Sequence, residues 1–207
     1  MKSILKLALP VMVLGLLLSS TGFAQSHRYL NTMRSSTNSH IFVSQSVDGE
    51  FGEFMMEYGE GPKETQKWKG YGLGTNVGIE LLKFVQFNLG HNFVNLQNTK
   101  GSLESLRGSR LNLGTRFVFL SPIGNLEFGG GLLGSRLDYQ KQLEHGSYYG
   151  SGMYYTVGMN YFINSKVSFF GHANMNEEHM IQNNGSATIK AMDYETTLFG
   201  LGFRIWL

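Results

Sequence analysis

The chain has no cysteine and few charges, and beyond its first two dozen residues it has no long apolar run. Without cysteine, an exported protein must hold together with no disulfides, and cysteine-built metal or redox centres are excluded. Charged residues make up 15% of the chain, where about 25% is usual for soluble proteins. Mean hydropathy is nevertheless slightly below zero. A helical membrane protein is therefore excluded, since each span needs roughly twenty apolar residues in a row. What remains is a chain that interleaves apolar residues with small polar ones.

The first residues have a different pattern. Lys2 and Lys6 flank the start of an apolar run from Ile4 to Leu18, followed by the small-x-small pattern Gly22-Phe23-Ala24. The run is interrupted by Lys6 and Pro10 and is too short to span a bilayer, so residues 1–24 read as a secretory signal peptide. Gln25 follows the predicted cut, which closes the cysteine-acylating lipoprotein route. The chain has 17 basic and 15 acidic residues. Loss of Lys2 and Lys6 with the leader balances the two signs, so no basic footprint for nucleic acid exists. Residues 25–39 are polar and patternless and read as a flexible segment. Residues 40–207 suit one domain.

Within that domain a period of two recurs. Tyr71, Leu73, Thr75, Val77, Ile79 and Leu81 alternate with Gly72, Gly74, Asn76, Gly78 and Glu80, which predicts a strand with two unlike faces. The same alternation runs through 85–93, 111–119, 126–132, 149–161, 167–175 and 199–207, with Leu133 blurring the phase of its segment. A first strand sets Phe54, Met56 and Tyr58 against Glu53, Met55 and Glu57. Residues 41–47 either extend it through a bulge near Asp48-Gly49 or form a separate arm through that turn signal. The count is then eight. Short connections at Leu82-Lys83, 121–124 and Asn164-Ser165 alternate with long polar stretches at 59–67, 97–107, 138–146 and 177–190. Short periplasmic turns alternating with longer extracellular loops, with both ends on the periplasmic side, predict a closed antiparallel up-and-down transmembrane β-barrel. Closure follows because an open sheet edge in hydrocarbon leaves backbone groups unpaired at several kcal/mol each.

A soluble lipocalin-like cup would show the same alternation with its apolar face inside. A polar face of Gly, Asn, Ser and Thr makes a poor solvated surface and a good lumen filling, which favours the membrane barrel. Aromatic residues near segment ends predict girdles: Trp68, Tyr71, Tyr148, Tyr149 and Tyr194 at the outer rim, and Phe84, Phe119, Tyr161 and Trp206 at the periplasmic one.

The last segment, Phe199, Leu201, Phe203, Ile205 and Leu207, resembles the terminal strand by which outer-membrane barrels are recognised for insertion. With the leader and the turn rhythm, the mature chain resembles the OmpA-like or OmpX-like eight-stranded outer-membrane barrels. The resemblance implies a bacterial outer-membrane location, contact with outer-membrane lipids, use of the barrel-assembly machinery and a monomer. It also implies a structural or surface-interaction role, with an extracellular ligand reached through the long loops. A narrow porin is the second reading. A lipid A-modifying enzyme is the third: the deacylase barrels it resembles carry His and Ser two residues apart on one strand face. Here His172 is followed by Asn174, so the nucleophile of a triad is missing.

The same strand parity turns Glu53, Glu57, Glu80, Arg110, Arg116, Glu127 and Arg204 inward. An eight-stranded barrel is only wide enough for side chains to fill, so these groups are expected to form a charge network that plugs the lumen. No catalytic site, cofactor or metal site is expected. His27, His40, His91, His145 and His179 lack ligand spacing, and Gly129-Gly130-Gly131 lies in a strand with no following helix.

Overall fold

The structure, a computed structural model, describes residues 39–59, 61–81, 84–100, 104–121, 124–164 and 166–207. The expected signal peptide and nearly all of the polar segment after it lie outside these residues. Eight strands follow in order: β1 Ser39–Glu57, β2 Glu64–Leu81, β3 Val85–Asn98, β4 Glu104–Ser121, β5 Gly124–Lys141, β6 Glu144–Phe162, β7 Val167–Gly185 and β8 Ala191–Trp206. Each pairs antiparallel with its neighbour in sequence, and β8 closes on β1. Closure leaves no sheet edge, which is what a bilayer demands.

Residues 41–47 are part of β1, paired without a break to β2 and, from Phe42 on, to β8. The Asp48-Gly49 step is neither a turn nor a bulge. Leu133 keeps its register too; the irregularity in the ladder falls between β6 and β7, beside Ser147 and Tyr148. The three periplasmic connections are short. On the other side the chain beyond the bilayer is long, but most of it is paired strand. β2 starts at Glu64, β5 runs to Lys141, β6 starts at Glu144 and β7 runs to Gly185, leaving 142–143 as the whole β5–β6 connection.

The strands are 14 to 19 residues long, longer than a membrane crossing needs, and their two halves differ. In the periplasmic half the outward side chains are mostly apolar: Ile41 and Val47 on β1, Leu73, Val77, Ile79 and Leu81 on β2, Leu111, Leu113, Phe117 and Phe119 on β4 and Phe199, Leu201, Phe203 and Ile205 on β8, with Gln45 and Thr75 between them. About ten tilted residues cover roughly 25 Å, the height of a transmembrane apolar band. This is the lipid-facing belt, and it rules out the soluble cup. In the outer half the polarity reverses while the parity is kept. Glu53, Lys67, Lys69, Arg107, Arg136 and Glu195 point outward to water. Phe54, Met56, Trp68, Leu96, Leu106, Leu137, Tyr148, Met180 and Met192 point inward and pack into one core. That buried apolar surface is why the ladder continues past the bilayer: beyond the belt the sheet encloses a hydrophobic interior of its own.

The girdle is accordingly smaller than the sequence pattern suggests. Tyr71, Tyr149, Phe84 and Phe119 face out. Trp68, Tyr148, Tyr194 and Trp206 are inside the barrel, each less than 4% exposed.

Candidate functional site

The barrel interior is the chemically distinctive part of the molecule, and it is layered. At the periplasmic end Phe42, Phe162 and Trp206 close together; the Trp206 ring lies 5.1 Å from Phe42 and 5.9 Å from Phe162. Its indole Nε1 donates to Ser168 Oγ at 3.1 Å, which satisfies the one polar group that burial would otherwise strand.

Directly above is an ionic layer. Arg204 grips Glu127 with both terminal nitrogens, at 2.5 and 3.0 Å, and Arg116 reaches the same carboxylate at 3.2 Å. Gln86 bridges, its Nε2 donating to Glu80 at 2.8 Å and to Glu127 at 3.4 Å. Two cations meet two anions, so the layer is neutral. Arg204 is also packed among rings, 4.5 Å from the centroid of Phe42, 5.2 Å from Phe170 and 5.4 Å from Trp206. The fork of its guanidinium fits a carboxylate bidentately, and its faces suit aromatic stacking.

The middle of the lumen is polar. Asn88 donates to Tyr154 at 3.2 Å, and His172 Nε2 lies 3.4 Å from Asp48 Oδ1 with Phe170 stacked on the imidazole. A cavity of about 20 Å³ lies among Arg110, Arg116, Tyr154, His172 and Asn174, room for about one water.

A second ionic cluster lies at the outer edge of the belt. Arg110 Nη1 is 2.7 Å from Glu50, and its Nε donates to the Tyr194 hydroxyl at 2.7 Å and lies 3.2 Å from Glu178; Tyr194 in turn donates to Glu178. Above it the apolar core fills the projecting half. Ala187 and Ile189 of the β7–β8 connection fold down into that core, held by Tyr148 Oη donating to the Ile189 carbonyl at 2.9 Å and by Lys190 N donating to the Glu57 carbonyl at 2.8 Å. At the rim, Asn98 donates to Glu104 at 2.6 Å and to Gln66 at 2.7 Å, and Lys141 pairs with Glu104 at 2.6 Å. That hydrogen bond holds the Lys141 ammonium above the ordinary lysine range, while burial pushes the Tyr139 phenol up.

Of the expected lumen charges, Glu80, Arg116, Glu127 and Arg204 meet in one layer, and Arg110 lies inside the second cluster. Glu53 and Glu57 do not point into the lumen. Glu53 faces outward and pairs with Lys67 at 3.3 Å, and Glu57, half-buried at the rim, pairs with Lys63 at 3.3 Å. The physical reason is the polarity reversal: above the belt, Phe54 and Met56 are the inward residues. Sequence reasoning missed Asp48, Glu50 and Glu178, all inside. Unbroken alternation from Ile41 to Met56 would have placed the first two. Phe199, Leu201, Phe203, Ile205 and Leu207 are all exposed on the outer wall. Among the described residues no group of three or more His, Asp or Glu side chains is placed to hold a metal.

No family model matches the chain, and no curated protein matches it. Solved structures do. Neisserial surface protein A superposes with a TM-score of 0.54 at 13% identity, over 79% of this chain and 96% of that one. The outer membrane protein OprG from Pseudomonas aeruginosa superposes with a TM-score of 0.53 at 10% identity, over 81% of this chain and 96% of that one. At these identities the likeness is one of fold; taken with the apolar belt, that fold makes the chain a bacterial outer-membrane β-barrel.

Proposed function

We propose that the protein is a non-conducting, monomeric barrel with a structural or surface-interaction role, which it performs through its rigid projecting half. The observation that carries this reading is the closed lumen. An aromatic seal, a neutral ionic layer, a second ionic cluster and an apolar core with the 186–190 strap follow one another along the axis. Moving a hydrated ion through would require dismantling buried ion pairs, each of which costs several kcal/mol to break. The mid-barrel cavity, with room for about one water, is too small for the porin reading.

The protein is not an enzyme on this reading. His172 has Asp48 beside it but Asn174 where the deacylase pattern places its serine, and both ends of its compartment are sealed. A ligand would meet the outer wall and rim of the projecting half instead of long mobile loops. The row Phe199 to Leu207 stands ready for the barrel-assembly machinery during insertion. Planar-bilayer recording on the refolded protein tests the proposal: no steady conductance is expected, and stable, reproducible steps would overturn it. Incubation with lipid A should leave its acyl pattern unchanged.

A further inference from the structure

We propose that the outer edge of the belt on the β2–β5 side binds the bisphosphorylated sugar headgroup of an outer-leaflet glycolipid. The outward side chains just above the belt segregate by sign. Lys67, Lys69, Arg107 and Arg136 lie on β2, β4 and β5 with Asp138 among them, whereas Glu177, Glu195 and Glu53 lie on β7, β8 and β1, Glu53 pairing with Lys67 across the β1–β2 boundary. Glu195 stands directly opposite both Glu177 and Glu53 in the ladder. Like charges directly opposed destabilise a sheet, so a wall arranged only for its own stability would mix the signs.

On the basic side a groove of about 630 Å³ is lined by Tyr71, Leu73, Phe93, Asn95, Arg107 and Arg136. Its lower wall is apolar, with Leu73 and Phe93 more than half exposed, and its upper wall is cationic. The walls are ordered by contacts of their own: Asn95 Nδ2 donates to Tyr71 Oη at 2.9 Å, and the Arg136 guanidinium lies 5.5 Å from the centre of the Tyr149 ring. Asp138 also borders the groove, but it accepts from Ser147 Oγ at 2.6 Å and lies 4.0 Å from Arg136. Among the described residues Arg107 makes no ion pair within 4 Å, although Asn95 and Asp138 are its register partners.

An amphiphile with its acyl chains against Leu73 and Phe93 would bring its headgroup level with these cations. Guanidinium groups suit phosphate because they can donate two parallel bonds to it. From β2 to β5 is three strand spacings, about 14 Å, wider than one phosphodiester. A disaccharide with a phosphate at each end matches that width. The proposal rests on the belt's placement in the outer leaflet and is independent of the sealed lumen: a barrel that conducted would still hold this lipid, and one that did not bind it could still be closed.

Native mass spectrometry of the folded full-length barrel, extracted in zwitterionic detergent, tests it with bisphosphorylated lipid A, dephosphorylated lipid A and phosphatidylglycerol. One lipid A is expected per barrel, held at least ten-fold more tightly than either other lipid. Arg107→Ala with Arg136→Ala should lower lipid A to the dephosphorylated level, and Glu177→Gln with Glu195→Gln should leave it unchanged. Lys69→Gln, at an exposed position, should weaken binding several-fold even if the double arginine variant does not fold; heat-modifiable gel migration reports folding of each. Equal binding of the three lipids, a preference for phosphatidylglycerol, or full retention by the arginine variant would overturn the proposal. So would charge-dependent pairing of barrels, basic wall against acidic wall, with no lipid bound.

Discussion

Glu127 is the group on which the periplasmic ionic layer depends. Its carboxylate accepts from Arg204 twice, from Arg116 and from Gln86, and Arg204 is fully buried. Glu127→Ala leaves two buried guanidinium groups facing one remaining carboxylate, Glu80. Removing one partner of a buried pair costs about 3–5 kcal/mol, because the other charge is left uncompensated. Against a total stability of about 5–15 kcal/mol, that is a large fraction. Arg204→Ala leaves Glu127 with Arg116 and Gln86 but also removes the guanidinium from between Phe42, Phe170 and Trp206, and a cost of about 3 kcal/mol is expected. The double variant removes both charges of the bidentate pair. It should therefore be less damaged than the two singles summed, with a coupling energy of about 2 kcal/mol, inside the range of about 0.5–3 kcal/mol for residues in contact. Reversible urea unfolding from phospholipid vesicles, followed by tryptophan fluorescence, reads this directly. If the two effects add to within about 0.5 kcal/mol, the groups are independently solvated and the layer is not a network.

Trp206→Ala should cost about 3–5 kcal/mol in the same unfolding assay, yet leave the barrel non-conducting, since the Glu127 layer above it remains; appearance of steady current would show that the aromatic seal alone closes the lumen. Gly108→Ala should reduce the yield of heat-modifiable barrel sharply, because a Cβ there would stand 1.9 Å from the Arg136 carbonyl oxygen, whereas Gly134→Ala, with nothing within 4 Å, should be within about 0.5 kcal/mol of the parent. Leu201→Arg, on the lipid-facing wall of β8, should cost about 2–4 kcal/mol. Glu195→Gln, beyond the belt and between two carboxylates, should cost nothing measurable or stabilise slightly; equal losses from these two changes would mean that the belt does not contact lipid.

The barrel was legible in the sequence because the lipid-facing half of each strand has one solvent on each side. Leu73, Val77 and Ile79 against Gly74, Asn76 and Gly78 give a strand with two unlike faces, and the short connections between such segments separate this pattern into countable strands. For the same reason Glu80, Arg116, Glu127 and Arg204, all in this half, were placed inside from parity alone. The outer half obeyed a different rule. Phe54 and Met56 look lipid-facing by hydropathy, and choosing them as the outer face forced a phase break near Asp48 that the backbone does not contain. That one break turned Glu53 and Glu57 inward and hid Asp48 and Glu50. Trp68, Tyr148 and Tyr194 were assigned to the girdle for the same reason, because an aromatic residue at the end of a crossing is equally suited to a headgroup level and to a buried core.

Why the parity survives while the polarity inverts follows from what touches each wall. Side-chain direction is fixed by the pleat and cannot change without a bulge, whereas the medium outside the barrel changes abruptly from hydrocarbon to water. Below the boundary, apolar side chains belong outside and the narrow lumen is left to polar groups that satisfy one another. Above it, the same geometry makes the inside the favourable place for Phe54, Leu106 and Leu137. Arg110, Glu50, Glu178 and Tyr194 stand between the two regimes, where the polar lumen meets the apolar core. A one-residue slip of β4 would turn Arg110 to the outer wall beside the lipid boundary and leave Glu50 and Glu178 buried without a cation. The cluster thereby penalises wrong register at the level where hydropathy alone specifies it least, and the wall above it, carrying separated faces of Lys and Arg and of Glu, is held rigid in a single orientation to the membrane surface.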